Sequence, residues 1–121
     1  MTNASERIYA NVEKRCLTLD NSTLEFPFGE QTAVYKVGGK MFALLSQDRE
    51  PPWLSIKLPP ELGLELRSAY PDRVFPGYYL NKLHWNTFVL DGALAEDEVL
   101  QFVEQSYALV RATLPARLRQ A

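Results

Sequence analysis

One cysteine and one histidine are all that these 121 residues contain of either type, and that scarcity narrows the chemistry at once. A lone cysteine closes no internal disulfide, which fits a reducing, cytoplasmic setting. Cys16 and His84 stand far apart in the chain, so they do not make a zinc or iron site. No stretch approaches the roughly 20 apolar residues of a membrane helix, and the polar start MTNASERIYANVEKR has no apolar signal-peptide core. Excess charge is missing too. At a formal net charge of -2, no global field draws in a polyanion, and any anion site must come from local clustering. Val37-Gly38-Gly39-Lys40 lacks P-loop spacing and leads into an apolar run rather than a helix. No loop has calcium-ligand spacing. What remains is a globular composition, 46% hydrophobic and 23% charged, without repeats or linkers. The expectation is a single domain spanning 1–121, monomeric, with no metal or cofactor.

Periodicity supplies the elements. Ile8, Val12 and Cys16 recur at i, i+4, i+8, giving a first helix from about Glu6 to Leu17 with Ser5 as its cap. LDNST breaks that pattern, and Phe26-Pro27-Phe28-Gly29 reads as an aromatic loop. AVYKV and KMFALLS flank Gly38-Gly39, a two-residue hairpin turn in which both positions accept positive φ. WLSIKL alternates Leu54, Ile56 and Leu58 against Trp53, Ser55 and Lys57, a third strand. PPELGLELRSAY starts a short helix on prolines, with Leu62, Leu64, Leu66 and Tyr70 for its buried side. RVF reads as a brief strand and KLHWNTFVL as the last one. A helix from about Ala95 to Thr113 carries Val99, Val103, Ser106, Tyr107, Val110 and Leu114 on one stripe, with acids Glu96, Asp97 and Glu98 in its first turn. The order α-β-β-β-α-(β)-β-α predicts an α+β fold: an antiparallel sheet with helices packed on one face and the other face open to water.

Candidate chemistry is thin. Cys16 falls on an apolar stripe, where a free cysteine acts as a small hydrophobe. His84 has a suitable acid–base range, but neither a nucleophile nor an orienting carboxylate accompanies it in the sequence. No catalytic constellation emerges. The surface pattern says more: Lys36, Lys40, Lys57 and Lys82 fall in or beside expected strands, near Trp53, His84 and Trp85. Lysines that meet phosphates and rings that stack on bases suit an extended anionic partner. Strand lysines also protect edges, and positive and negative residues balance from Glu30 to Asp91.

Phe26-Pro27-Phe28-Gly29, VYKVGGKMFALLS, SIKLPPEL, PGYYLNKLHWNTFVLDG and a C-terminal helix with SYALV and LPARLR follow one another in an order that resembles the MmcQ/YjbR family. The resemblance implies a bacterial protein with a CyaY-like, frataxin-like α+β fold. It also implies non-enzymatic DNA binding through a double-wing surface, with Lys36, Lys40, Lys57, Lys82, His84 and Trp85 at recurrent positions. Trp53 joins them from the strand pattern. The leading expectation is weak DNA binding through the open sheet face and the hairpin. The alternative is a small-ligand or protein-binding pocket around the 75–88 aromatic block, formed by Phe28, Tyr78, Tyr79, His84 and Trp85. The ionic frataxin trait does not carry over, because Glu6 and Glu13 are too sparse on the first helix to hold iron.

Overall fold

In the structure, a computed structural model, residues 3–77 and 80–119 are described. The chain runs α1 (Ala4–Thr18), β1 (Ser22–Glu25), β2 (Thr32–Val37), β3 (Lys40–Ser46), β4 (Trp53–Lys57), α2 (Pro60–Ala69), β5 (Val74–Pro76), β6 (Trp85–Val89), α3 (Glu96–Ala112) and α4 (Ala116–Arg119). Among the described residues the strands form one antiparallel sheet in the order β1-β2-β3-β4-β6-β5. The α+β expectation holds. Two elements come without a sequence signal. β1 is an exposed edge strand over Ser22–Glu25 with no apolar alternation, and α4 is a single turn after Pro115 with no buried residue.

Helix α1 is capped by Asn3, not Ser5. The Asn3 side-chain oxygen accepts the Glu6 N–H at 2.8 Å, satisfying one of the helix's orphan donors and leaving Ser5 inside the first turn. Ile8, Val12 and Cys16 are buried as their spacing predicts. In α2, Leu66 and Gly63 face inward, whereas Leu64, expected on the buried side, is 61% exposed. The last strand is also shorter than KLHWNTFVL. Asn81 accepts the Leu83 N–H on its side-chain oxygen at 2.8 Å and the Trp85 N–H on its carbonyl at 2.9 Å. That local turn starts β6 at Trp85 and leaves Lys82 and His84 in the turn before it.

The period of two divides the sheet cleanly. Ala33, Tyr35, Ala43, Leu45, Leu54, Ile56 and Phe88 point to the helices and join Ile8, Val12, Val99, Val103 and Val110 in one core. The Gly38-Gly39 turn has φ of 57° and 82°, as a hairpin of this kind requires. A Cβ on Gly38 would stand 2.5 Å from the Leu114 side chain, so any larger residue would have to push Leu114 aside where the turn docks past the end of α3.

One side chain ties α3 to the strands. The β2–β3 register passes from Tyr35↔Ala43 to Lys36↔Met41, which leaves Phe42 as the extra residue of a bulge. Continuing the β3–β4 register beyond Ala43↔Ile56 would put Phe42 opposite Lys57. There the buried Ser106 hydroxyl intervenes: it donates to the Phe42 carbonyl at 2.6 Å and accepts the Lys57 N–H at 2.9 Å. Phe42 itself turns toward the helices, edge-on to Tyr107 at 5.3 Å.

Two outcomes follow from this packing. Ser106→Ala leaves a buried carbonyl and a buried N–H without their partner and is expected to lower stability by about 1–3 kcal/mol, read as a reduced urea midpoint at unchanged slope. Cys16 has its thiol pushed up from 9.0 to about 12 by burial, with Arg15 lowering it and Glu13 raising it. The unfolded chain therefore releases this proton first. The stabilisation is complete below pH 9 and is lost as pH rises toward about 12, at up to about 1.4 kcal/mol per pH unit. Burial also raises the neighbouring Tyr35 hydroxyl, and Tyr9 lies close by, so the contribution is isolated by comparison with Cys16→Ala. Urea unfolding at pH 8, 9, 10 and 11 should show a shallower alkaline decline in that variant.

Candidate functional site

The face turned away from the helices is only partly wet. Val34 and Thr87 lie on it and are buried, and Trp85 lies beneath the strand-exit segment, where Gly77 donates its N–H to the Trp85 carbonyl at 2.8 Å. A Cβ on Gly77 would meet the Trp85 Cβ at 2.7 Å. Between these covered parts lies a cavity of about 330 Å³ lined by Phe28, Thr32, Leu44, Ser46, Asp48, Arg49, Trp53, Ser55 and Leu80. That volume falls at the lower end of small-molecule sites, roughly 300–1,000 Å³.

Strand alternation assembles its floor. Because Ala33, Leu45 and Leu54 point to the core, their neighbours Thr32, Leu44, Ser46, Trp53 and Ser55 point the other way. Register then pairs the hydroxyls across strands: Thr32 lies opposite Ser46, and Ser55 opposite Thr87. Thr32 Oγ1 and Ser46 Oγ are 3.4 Å apart, Ser55 Oγ and Thr87 Oγ1 2.9 Å. The β3–β4 loop supplies the charged rim. Ser46 donates its hydroxyl proton to Asp48 Oδ1 at 2.6 Å, which, with the Arg49 guanidinium, holds that carboxyl below the usual carboxylate range. Arg49 Nε is 3.5 Å from the same oxygen, and its guanidinium carbon stands 3.7 Å above the centroid of the Trp53 ring. Trp53 also tilts against Phe75 at 5.9 Å. Phe28 is 65% exposed at the opposite side.

The residues singled out from the sequence do not converge. Trp53 lines the cavity. Lys57 shares its face, opposite Trp85 in the β4–β6 register, and makes no ion pair among the described residues. Lys36 is paired with Glu25 at 3.1 Å. Lys40 reaches Thr113 Oγ1 at 3.2 Å, which puts it at the hairpin tip beside the end of α3. Lys82 and His84 belong to the turn before β6. Of the residues from which a pocket was expected, Phe28 lines this cavity and His84 and Trp85 do not, while Tyr78 and Tyr79 fall outside the described residues. Sequence reasoning missed Thr32, Ser46 and Ser55, whose signal was a small hydroxyl recurring among the outward strand positions. It also passed over Asp48 and Arg49 as an ordinary charged loop.

The polar residues around His84 have a structural role. Asn86 is fully buried on the helix side. The Arg67 guanidinium donates to Asn86 Oδ1 at 2.8 Å, to the Lys82 carbonyl at 2.6 Å and to the Trp85 carbonyl at 3.1 Å. A Cβ on Gly63 would approach the Asn86 amide to 2.9 Å, so glycine lets α2 lie close against it. The His84 carbonyl accepts the Leu58 N–H at 2.8 Å. Arg67 thus clamps α2, the turn and β6 together.

A family model described as YjbR matches residues 17–109. The chain belongs to the YjbR family. It is 30% identical over 105 residues to the Escherichia coli O157:H7 protein YbdF, covering 87% of this chain and 85% of that one. It is 36% identical over 85 residues to YjbR of Escherichia coli K12, covering 70% and 71% of the two chains. The crystal structure of Deinococcus radiodurans protein DR2400, with a DUF419 domain, superposes with a TM-score of 0.86 at 37% identity, over 92% of this chain and 84% of that one. A Pseudomonas syringae structure shares the fold, with a TM-score of 0.68 at 24% identity, over 84% and 97%. Neither Escherichia coli relative carries an activity in its name.

Arg67→Ala should remove the clamp and strand the buried Asn86 amide. Charged hydrogen bonds of this kind put the loss at about 2–4 kcal/mol, checked by chemical denaturation. Amide exchange should accelerate at Trp85 more than in β2 and β3.

Proposed function

We propose that this YjbR-family chain is a non-catalytic binding module whose open-face cavity takes up a small ligand or a single side chain of a larger one. One observation carries the reading: the concave site walled by Phe28, Trp53, Leu44 and Leu80, with hydroxyls and an Asp48–Arg49 pair at its floor and rim. An apolar body with a few convergent polar groups is the composition by which proteins hold and orient small ligands. The reactive side chains considered from the sequence lie elsewhere. Cys16 is buried in the core, and His84 stands outside the cavity lining.

Weak DNA binding through the same face is the second reading. Its support is Lys57 and Trp53 on one side of β4, at its two ends, a cation and a ring on the face that a nucleic-acid strand could follow. It draws less from Lys36 and Lys40, which are engaged by Glu25 and Thr113.

One set of titrations separates the two. A fragment set containing neutral and charged planar compounds, followed by protein-observed NMR, is expected to shift resonances of Trp53, Ser55 and Leu44. Trp53→Leu should weaken the best binder by about tenfold or more while leaving the unfolding midpoint little changed. Single- and double-stranded DNA at low and physiological salt form the other arm. Salt-sensitive DNA binding at tens of micromolar protein, with no fragment entering the cavity, would reverse the order of the readings.

A further inference from the structure

We infer that the open-face cavity selects a ligand bearing a guanidinium or alkylammonium group, whose cation takes the place of the Arg49 guanidinium on the Trp53 ring. The inference rests on the binding-module reading above and names the ligand class for it.

The chain's own cation already shows the mode of recognition. Arg49 stacks with its guanidinium carbon 3.7 Å from the Trp53 ring centroid, the arrangement in which an indole face attracts a planar cation. The same guanidinium lies 3.5 Å from Asp48, so the rim offers both an electron-rich ring and a carboxylate to one positive group.

The hydrogen-bonding inventory points the same way. Ser46 gives its proton to Asp48, so in its contact with Thr32 Oγ1, 3.4 Å away, the Ser46 oxygen is the acceptor. Carboxylate oxygens accept only. With Arg49 displaced, the acceptors left at the rim call for a donor-rich ligand, and a guanidinium carries five N–H groups in a fixed fork. An anionic ligand would meet Asp48 at close range.

Charge balance decides between a cation and a neutral ring. Exchange of Arg49 for a ligand cation leaves Asp48 neutralised, whereas a neutral ring that displaced Arg49 would strip Asp48 of its counter-ion. The exchange is also mechanically easy. The side chains of Arg49 and Asp48 are 42% and 49% exposed, so Arg49 swings into water without repacking the core, and an exposed pair of this kind is held weakly. Arg49 therefore acts as an internal competitor for the site.

Calorimetric titration of the full chain tests this with four probes: N-acetyl-arginine amide, its uncharged isostere N-acetyl-citrulline amide, ethylguanidinium chloride and indole. The two guanidinium probes are expected to bind, and the citrulline derivative about tenfold or more weaker, the scale of a lost cation–π and ionic contact. Asp48→Asn should weaken the guanidinium probes by about tenfold. Arg49→Ala should tighten them about threefold or more, because removing an internal occupant raises the fraction of open sites. Both substitutions fall in an exposed loop, and an unchanged unfolding midpoint verifies the fold. An arginine derivative that outcompetes ethylguanidinium identifies an arginine of a peptide as the source; equal affinities identify a free guanidinium. Equal binding of the citrulline and arginine derivatives, or weaker cation binding by Arg49→Ala, overturns the proposal. Indole binding that depends on Trp53, with no binding of either cation, overturns the ligand class and leaves the binding module standing. Failure of all four probes, indole included, removes both.

Discussion

The Ser106 hydroxyl is the contact on which the rest of the molecule depends. A bulge at Phe42 takes one residue out of the β3 ladder and swings its ring toward α3, and the interrupted pairing would leave a buried carbonyl opposite a buried N–H. Ser106 fills the gap by donating to one and accepting from the other. A single small polar side chain on an otherwise apolar stripe thereby fixes where α3 sits along the sheet. Valine at that position would suit the helix period and leave both strands unsatisfied.

Holding the helices to one face has a consequence on the other. With the core face committed to α1 and α3, every second residue of β2, β3 and β4 is turned toward the loops that follow β1 and β5. The outward positions that line the cavity are Thr32, Leu44, Ser46, Trp53 and Ser55, too polar for a second core and too apolar for bare water. Val34 and Thr87 are nonetheless buried, so this face is partly covered, and the cavity opens on the same face. Edge protection, a pocket floor and a partly covered sheet come from the same alternation.

Much of this could be read from local pattern. Ile8, Val12 and Cys16 announce the inward side of α1, Gly38-Gly39 announces the hairpin, and Leu54, Ile56 and Leu58 announce β4, because each signal is contained within one element. β1 escaped notice because an edge strand with mostly exposed side chains needs no apolar alternation; its reason for being extended is β2, beyond its own residues. Lys82 and His84 were read as strand because nothing local says that Asn81 will fold back on Leu83 and Trp85. The cavity was hardest of all. Phe28, the Ser46–Arg49 segment and Leu80 come from three separate parts of the chain, and no spacing rule links them.

What the sequence by itself determined is most of the elements, the inward side of α1, β4 and α3, and the YjbR likeness, since periodicity, turn chemistry and linear motifs are properties of consecutive residues. Tertiary structure decided which polar groups are partners. Asn86 was one more polar residue of the last strand until Arg67 reached it from α2, and Lys36 and Lys40 looked like free cations until Glu25 and Thr113 were beside them. Asp48 and Arg49 looked like loop filler until Trp53 came under the guanidinium. Charge and hydrogen bonding act over a few ångströms of space, and distance in space is the one quantity that order along the chain leaves open.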